Sequence, residues 1–329
     1  MAEQEAAQDG WVVQTEELTK RFGDEAAVDE LTFEVPRGRI FGLIGPSGCG
    51  KTTTVRLLTG VYEPTKGRAV VLESEPGNFS RETRAQIGYM PQHSILYPNL
   101  SVWENLRFAG SIYGVSPFAK RRLLEVLDFV ELEEHRHKQV RDISGGMQRR
   151  LSLAACLIHG PSLLFLDEPT GGVDPVLRRK FWDHFEALRE EGNTLLVTTQ
   201  YVGEAAYCDL VGVMMAGRIV VVDTPEGLRR RAFGGEVINV RTREYLEYSI
   251  TQALREIEGV QHVIRVGETH VRLLVDEASV VIPRITDWAK GHEVEVESVQ
   301  EYQPPFDDVF VRMVERETGR DQGEWGDDG

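Results

Sequence analysis

The sequence predicts an α/β fold followed by a smaller α+β unit, and three observations lead there. The apolar runs Leu163–Leu166 and Leu195–Thr198 are continuous rather than alternating, as in strands of a parallel sheet buried on both faces. Between them, Val176–Arg189 repeats apolar residues at helical spacing, giving strand–helix–strand order. After about residue 229 the pattern becomes βαββαβ, with breaks at Gly259, Gly267 and Gly291. A chain of 329 residues with 41% hydrophobic content suffices for about two domains with proper cores.

Taken in order, Trp11–Val13, Leu31–Val35, Ile40–Ile44 and Arg68–Leu72 are β-like runs, with turns at Gly23, Pro36–Gly38 and Gly67. Thr53–Thr59 is helical, and from Leu100 to about Val140 the chain turns helical again, with Leu123, Leu124, Leu127 and Val130 on one face. Ser144 caps a helix, Met147–His159, that stops at Gly160-Pro161. The longest apolar stretch, Leu210–Asp223, is interrupted by Gly217-Arg218 and is too short to cross a bilayer. In the second unit, Glu236–Thr242 is a strand, and Leu246, Ile250, Leu254 and Ile257 mark one face of a helix. A hairpin, Val260–Val266 and Thr269–Val275, follows, then a helix Val280–Lys290 and a strand Val294–Val299. Phe306, Val309, Phe310 and Met313 suggest a closing helix, and residues 321–329 are acidic and expected to be disordered. The expected domains are 11–229 with a helical subdomain at about 93–140, 230–316, and an acidic tail 317–329.

The formal charge is −16, from 37 basic and 53 acidic residues, which is unfavourable for gripping nucleic acid. Residues 11–229 are nearly balanced, with 25 basic and 29 acidic, so the acidity belongs to the ends. Three cysteines, Cys49, Cys156 and Cys208, give neither a disulfide framework nor metal-type spacing and fit a reducing compartment. The opening MAEQEAAQDG lacks the charged and apolar regions of a signal peptide. A cytoplasmic location is expected.

Three motifs carry chemistry. Gly45-Pro46-Ser47-Gly48-Cys49-Gly50-Lys51-Thr52 matches G-x-x-x-x-G-K-[ST], after a strand and before a helix. Its glycines let backbone N–H groups face one concavity at a helix N-terminus; Lys51 would reach the β- and γ-phosphates, and Thr52 would coordinate Mg²⁺. The plainer alternative is a Gly-rich turn that happens to precede a lysine. Leu163–Leu166 ends in Asp167-Glu168, which places Asp167 at the sheet's carboxyl edge to hold Mg²⁺ and Glu168 to polarise water as general base. Alone, such an acidic turn is commonplace; behind a phosphate loop it is a strong pairing. Ser144-Gly145-Gly146 is either a simple cap or a second anion site at a helix N-terminus, which would imply nucleotide shared between two chains. Cys49, near a helix N-terminus, is expected to have a lowered thiol pKa, either as a redox switch or as a tolerated small residue.

With these motifs in this order, residues 11 to about 229 resemble the nucleotide-binding subunit of an ATP-binding-cassette (ABC) transporter. The resemblance implies a P-loop NTPase cassette with a mixed sheet core, an N-terminal antiparallel β part and a helical subdomain. It implies that Phe22 stacks on adenine, Thr53 contacts the α-phosphate, and Gln92 in Met90-Pro91-Gln92 touches Mg²⁺ and faces a membrane subunit. Ile143–Met147 matches the family signature, with Ile and Met at two usual Leu and Gln positions. Gly171-Gly172-Val173-Asp174 matches the D-loop. Where the family places a switch histidine, this chain has Gln200, which can donate a hydrogen bond but has no titratable proton. Thr198-Thr199-Gln200-Tyr201 and Phe306–Phe310 are similar to the daunorubicin-resistance-type export subgroup.

The resemblance implies an ATPase binding ATP and Mg²⁺, acting as a head-to-tail pair with a second copy or a paralogous cassette. It would drive a separate transmembrane permease from the inner face of the cell membrane, docking through the region between Gln92 and about Gly114, where Trp103 and Tyr113 are candidate contacts or ordinary core. An ABC ATPase acting on nucleic acid or ribosomes is the alternative; missing insertions argue against it, and no nucleic-acid partner is expected. A P-loop kinase or GTPase is disfavoured by the signature and by the absence of an Asn-Lys-x-Asp segment.

Overall fold

The computed structural model describes residues 10–317 except 94, 117 and 293, with only the backbone of 316 and 317. The tail expected to be disordered lies outside the described residues. The chain divides into two compact units after Val222.

In the first unit, β1 (Trp11–Phe22) pairs antiparallel with β2 (Glu25–Pro36) and with β4 (Lys66–Val71) in a three-stranded sheet, β2-β1-β4. β1 and β2 run well past the expected segments because the ladder absorbs irregularities instead of ending at them. Its register shifts between Thr15 and Leu18, where Glu17 takes a positive φ of 47°, so polar residues interrupt the alternation without ending the strand.

A second sheet has the order β5-β6-β7-β3-β8-β9, from Ile87–Met90 (β5), Leu163–Asp167 (β6), Thr194–Thr199 (β7), Ile40–Ile44 (β3), Leu210–Met215 (β8) and Arg218–Asp223 (β9). The pairs β5/β6, β6/β7, β7/β3 and β3/β8 are parallel. Every residue of β3, β6 and β7 is buried, as continuous apolar runs require. The apolar stretch ending at Asp223 folds into two strands around Ala216-Gly217, both in the left-handed region. Helices α1 (Lys51–Leu58), α2 (Arg81–Ala85), α3 (Val102–Ile112), α4 (Lys120–Phe129), α5 (Gly145–Leu157) and α6 (Pro175–Glu190) complete the unit. Ser101 and Glu104 form a capping box at the start of α3, and Ser144 caps α5 through the Met147 N–H.

The second unit begins with α7 (Pro225–Phe233), capped by Thr224 and ended by Gly234 at φ 82°. β10 (Glu236–Thr242), α8 (Tyr248–Arg255), β11 (Val260–Arg265), β12 (His270–Val275), α9 (Ala278–Gly291), β13 (Val296–Tyr302) and α10 (Phe306–Glu317) follow. The antiparallel sheet order β11-β12-β10-β13 is that of a ferredoxin-like split βαβ. Ile238, Val240, Leu254, Val263, Leu273 and Ile285 form its core. α8 is shorter than its apolar periodicity suggests. Leu246 precedes it, donating its N–H to Glu268, and Ile257 follows it; both still join this core.

Candidate functional site

The site is built where β3, β6 and β7 end side by side, so that three chain segments distant in sequence converge. β3 leads into the loop Gly45–Gly50. Gly50 caps α1 at φ 112°, and a Cβ there would lie 2.3 Å from the Ala27 carbonyl, so only glycine fits. Pro46, Ser47 and Gly48 are exposed at the loop's crest, while Lys51, on the first turn of α1, is buried. Its Nζ donates to the carbonyls of Gly45 (2.8 Å) and Pro46 (3.0 Å) and lies 3.6 Å from Glu168 Oε1. Thr52 and Thr53 follow, half-buried, on the same turn.

β6 delivers the two carboxylates. Asp167 is fully buried, and its Oδ1 accepts from Thr198 Oγ1 (2.7 Å) and Thr52 Oγ1 (3.1 Å). Its Oδ2 is buried with no hydrogen-bond partner. Burial raises the pKa of this carboxyl, against the lowering effect of the Thr198 and Thr52 hydrogen bonds. An anionic oxygen left unpartnered beside a threonine hydroxyl suits a hard divalent cation, so the residues present fit Mg²⁺. Glu168 departs from the strand at φ 47°, its N–H donating to Thr198 Oγ1 (2.9 Å). Its Oε2 accepts from Gln92 Nε2 at 2.8 Å, so the glutamine that follows β5 is aimed at the carboxylate.

The other expected residues lie outside this hydrogen-bonded centre. Phe22 is 49% exposed, meets Tyr62 edge-on at 5.5 Å, and has the Lys20 ammonium over its ring at 5.4 Å from the centroid. Gln200 is exposed at the end of β7; the next residue, Tyr201, is covered by the Arg178 guanidinium at 3.9 Å. Ser144 and Gly146 line a separate hollow of about 410 Å³ with Glu131, Met147, Asp174 and Lys180, and none of its lining residues comes from the phosphate loop. Gly145 opens α5 at that hollow. There Asp174 caps α6 by accepting from the N–H groups of Val176 and Leu177, both at 3.0 Å.

The thiol of Cys49 does not behave as its place near a helix N-terminus suggests. Burial pushes its pKa up, outweighing the opposing pull of Lys51, because the side chain is only 5% exposed. Two contributors escaped sequence reasoning. Thr198 orients both acidic residues, and its signal was only a polar residue ending an apolar strand. Arg149 donates to backbone carbonyls beside both Gln92 and Glu168; its signal was a cation on a helix otherwise packed into the core.

Residues 28–171 match the ABC transporter family model. The chain is 42% identical over 229 residues to a probable multidrug ABC transporter ATP-binding protein of Escherichia coli (strain K12), an alignment covering 68% of this chain and 39% of that relative. It is 34% identical over 313 residues to a daunorubicin resistance ATP-binding protein of Streptomyces coeruleorubidus, covering 94% of this chain and 97% of the other. A solved ATP-binding subunit of an ABC transporter matches with a TM-score of 0.61 at 28% identity, covering 68% of this chain and 93% of that one.

Proposed function

Since this chain belongs to the family of ABC transporter ATP-binding proteins, we propose that it is the ATP-hydrolysing motor subunit of a membrane exporter of drugs or other hydrophobic compounds. The observation that carries this reading is the convergence of Lys51, Thr52, Asp167, Glu168 and Gln92 at the ends of three parallel strands. Lys51 and the loop N–H groups bind the β- and γ-phosphates of ATP. Asp167 and Thr52 hold Mg²⁺, which neutralises phosphate charge when bound. Glu168, held by Gln92, accepts the proton of the attacking water. Gln200, at the edge of the site, donates to the γ-phosphate.

The separate Ser144–Gly146 hollow supports a head-to-tail pair, in which one chain completes the site of another around each of two ATP molecules. A transmembrane permease, supplied by another polypeptide, is the proposed load. Among the described residues, Ile95, Tyr97, Phe108, Ile112 and Phe118 expose apolar surface along the helical region, and Ile112 lines a groove of about 350 Å³ with Val61, Phe79, Tyr89 and Tyr113. No described helix is long and apolar enough to cross a membrane. The names of the similar chains favour multidrug and daunorubicin-type export, which would place this subunit peripherally on the inner face of the cell membrane.

The test is Glu168→Gln in the full chain. It should give an ATP-stabilised dimer on gel filtration and little phosphate release; turnover equal to wild type would remove Glu168 from the role of base.

A further inference from the structure

Arg149 sits one turn into α5 and is 7% exposed. A guanidinium carries five N–H donors in a fixed planar fork. Here Nε donates to the Pro169 carbonyl (2.8 Å), Nη1 to those of Gln92 (2.5 Å) and Pro91 (3.3 Å), and Nη2 to those of Asp167 (3.3 Å) and Glu168. All five donors therefore meet main-chain oxygens. Burying a cation is costly, and the nearby Asp167 and Glu168 charges offset that cost without closing an ion pair, which argues against a role as mere filler. The acceptors are shared between two turns, and those turns carry the two side chains that meet at 2.8 Å, Gln92 and Glu168.

The Glu168 turn needs such support. A non-glycine residue at φ 47° persists only when its surroundings over-determine it. Thr198 holds the Glu168 N–H, and Gly171 and Arg149 hold its carbonyl. The neighbouring Arg150 faces away, donating to the carbonyls of Val130 (3.0 Å) and Glu131 (3.2 Å), while Lys180 of α6 grips the Glu131 carboxylate at 2.7 Å. Two adjacent arginines thus pin α5 to different neighbours.

We propose that Arg149 is a positioning residue for hydrolysis, fastening the Gln92 and Glu168 turns to each other and to the helix whose N-terminus carries Ser144–Gly146, so that the general base and Gln92 keep their place relative to one another. This rests on the ATPase reading above. Lysine, with three donors radiating from one atom, cannot span five carbonyls on two turns, and glutamine offers only two donors.

The test compares the full-length wild type with Arg149→Lys, Arg149→Gln, Glu168→Gln and the Arg149→Gln/Glu168→Gln double variant. Affinity is read with a fluorescent ATP analogue, turnover by phosphate release, and folding by thermal unfolding. Both single Arg149 variants should bind nucleotide within about threefold of wild type but lose kcat by on the order of 100-fold, as displacing a catalytic group does. The double variant should release phosphate no more slowly than Glu168→Gln, because the group being positioned is already disabled. A wild-type kcat for Arg149→Lys, an additive loss in the double variant, or parallel loss of binding and thermal stability in both substitutions would overturn the proposal. Failure of the ATPase reading looks different: wild type and Glu168→Gln would then release phosphate at the same rate.

Discussion

The unpartnered oxygen of Asp167 allows a stability prediction with an unusual sign. Asp167→Asn keeps Oδ1, and with it the hydrogen bonds from Thr198 (2.7 Å) and Thr52 (3.1 Å), while replacing the buried, unsatisfied Oδ2 with a neutral amide nitrogen. An unsatisfied buried anionic acceptor costs more than a neutral group in the same place, so the metal-free variant should gain about 1–2 kcal/mol. For a unit of this size that moves the midpoint up by about 2–8 °C. The sign with pH follows from the raised folded-state pKa of Asp167. The folded protein holds that proton more tightly than the unfolded chain does. The wild-type carboxyl therefore contributes its stability below the ordinary carboxylate pKa and loses it as pH rises through the raised value. The advantage of Asn should open across that interval and be complete above it. Thermal unfolding from pH 4 to 8, with and without Mg²⁺, tests this: Mg²⁺ should raise the wild-type midpoint and leave the variant unmoved. A variant less stable than wild type at pH 8 without Mg²⁺, or one equally stabilised by Mg²⁺, would refute the assignment of Oδ2 as a cation ligand.

Gln200→His should introduce a rise in phosphate release as pH falls through about 6.5, because imidazole gains a proton there and a carboxamide does not. Complete loss of turnover in a pH profile would show instead that the loop is built specifically around glutamine. Cys49, with its thiol pKa raised by burial, should be alkylated by iodoacetamide at pH 8 at least about tenfold more slowly than a free cysteine. Mass-spectrometric labelling at the free-cysteine rate would contradict the buried placement.

The parallel core was legible because strands buried on both faces have no polar alternation to blur them: β3, β6 and β7 coincide closely with the apolar runs. The antiparallel strands were less so. β1 and β2 extend through polar residues and bulges, where period-two alternation fails although the ladder continues. α8 illustrates the opposite error, since Leu246 and Ile257 belong to the core without belonging to the helix.

The site divides along the same line. The grouping of residues near Lys51 and Asp167 was readable because the loop motif and the acidic strand end set particular residue types at fixed short spacing. Arg149 was not, because its acceptors are main-chain carbonyls, which every residue has, at sequence separations set by the fold alone. Basicity on a helix ordinarily signals solvent, and the same expectation fails at Arg122, which donates to the Leu157 and Ile158 carbonyls at the end of α5. One helix is therefore held by Arg149 near its start and by Arg122 at its end, through donors whose partners leave no trace in residue identity. Under the proposal above, the Arg149 contacts tie the Glu168 turn to α5 although nothing in the residue types at either end marks the link.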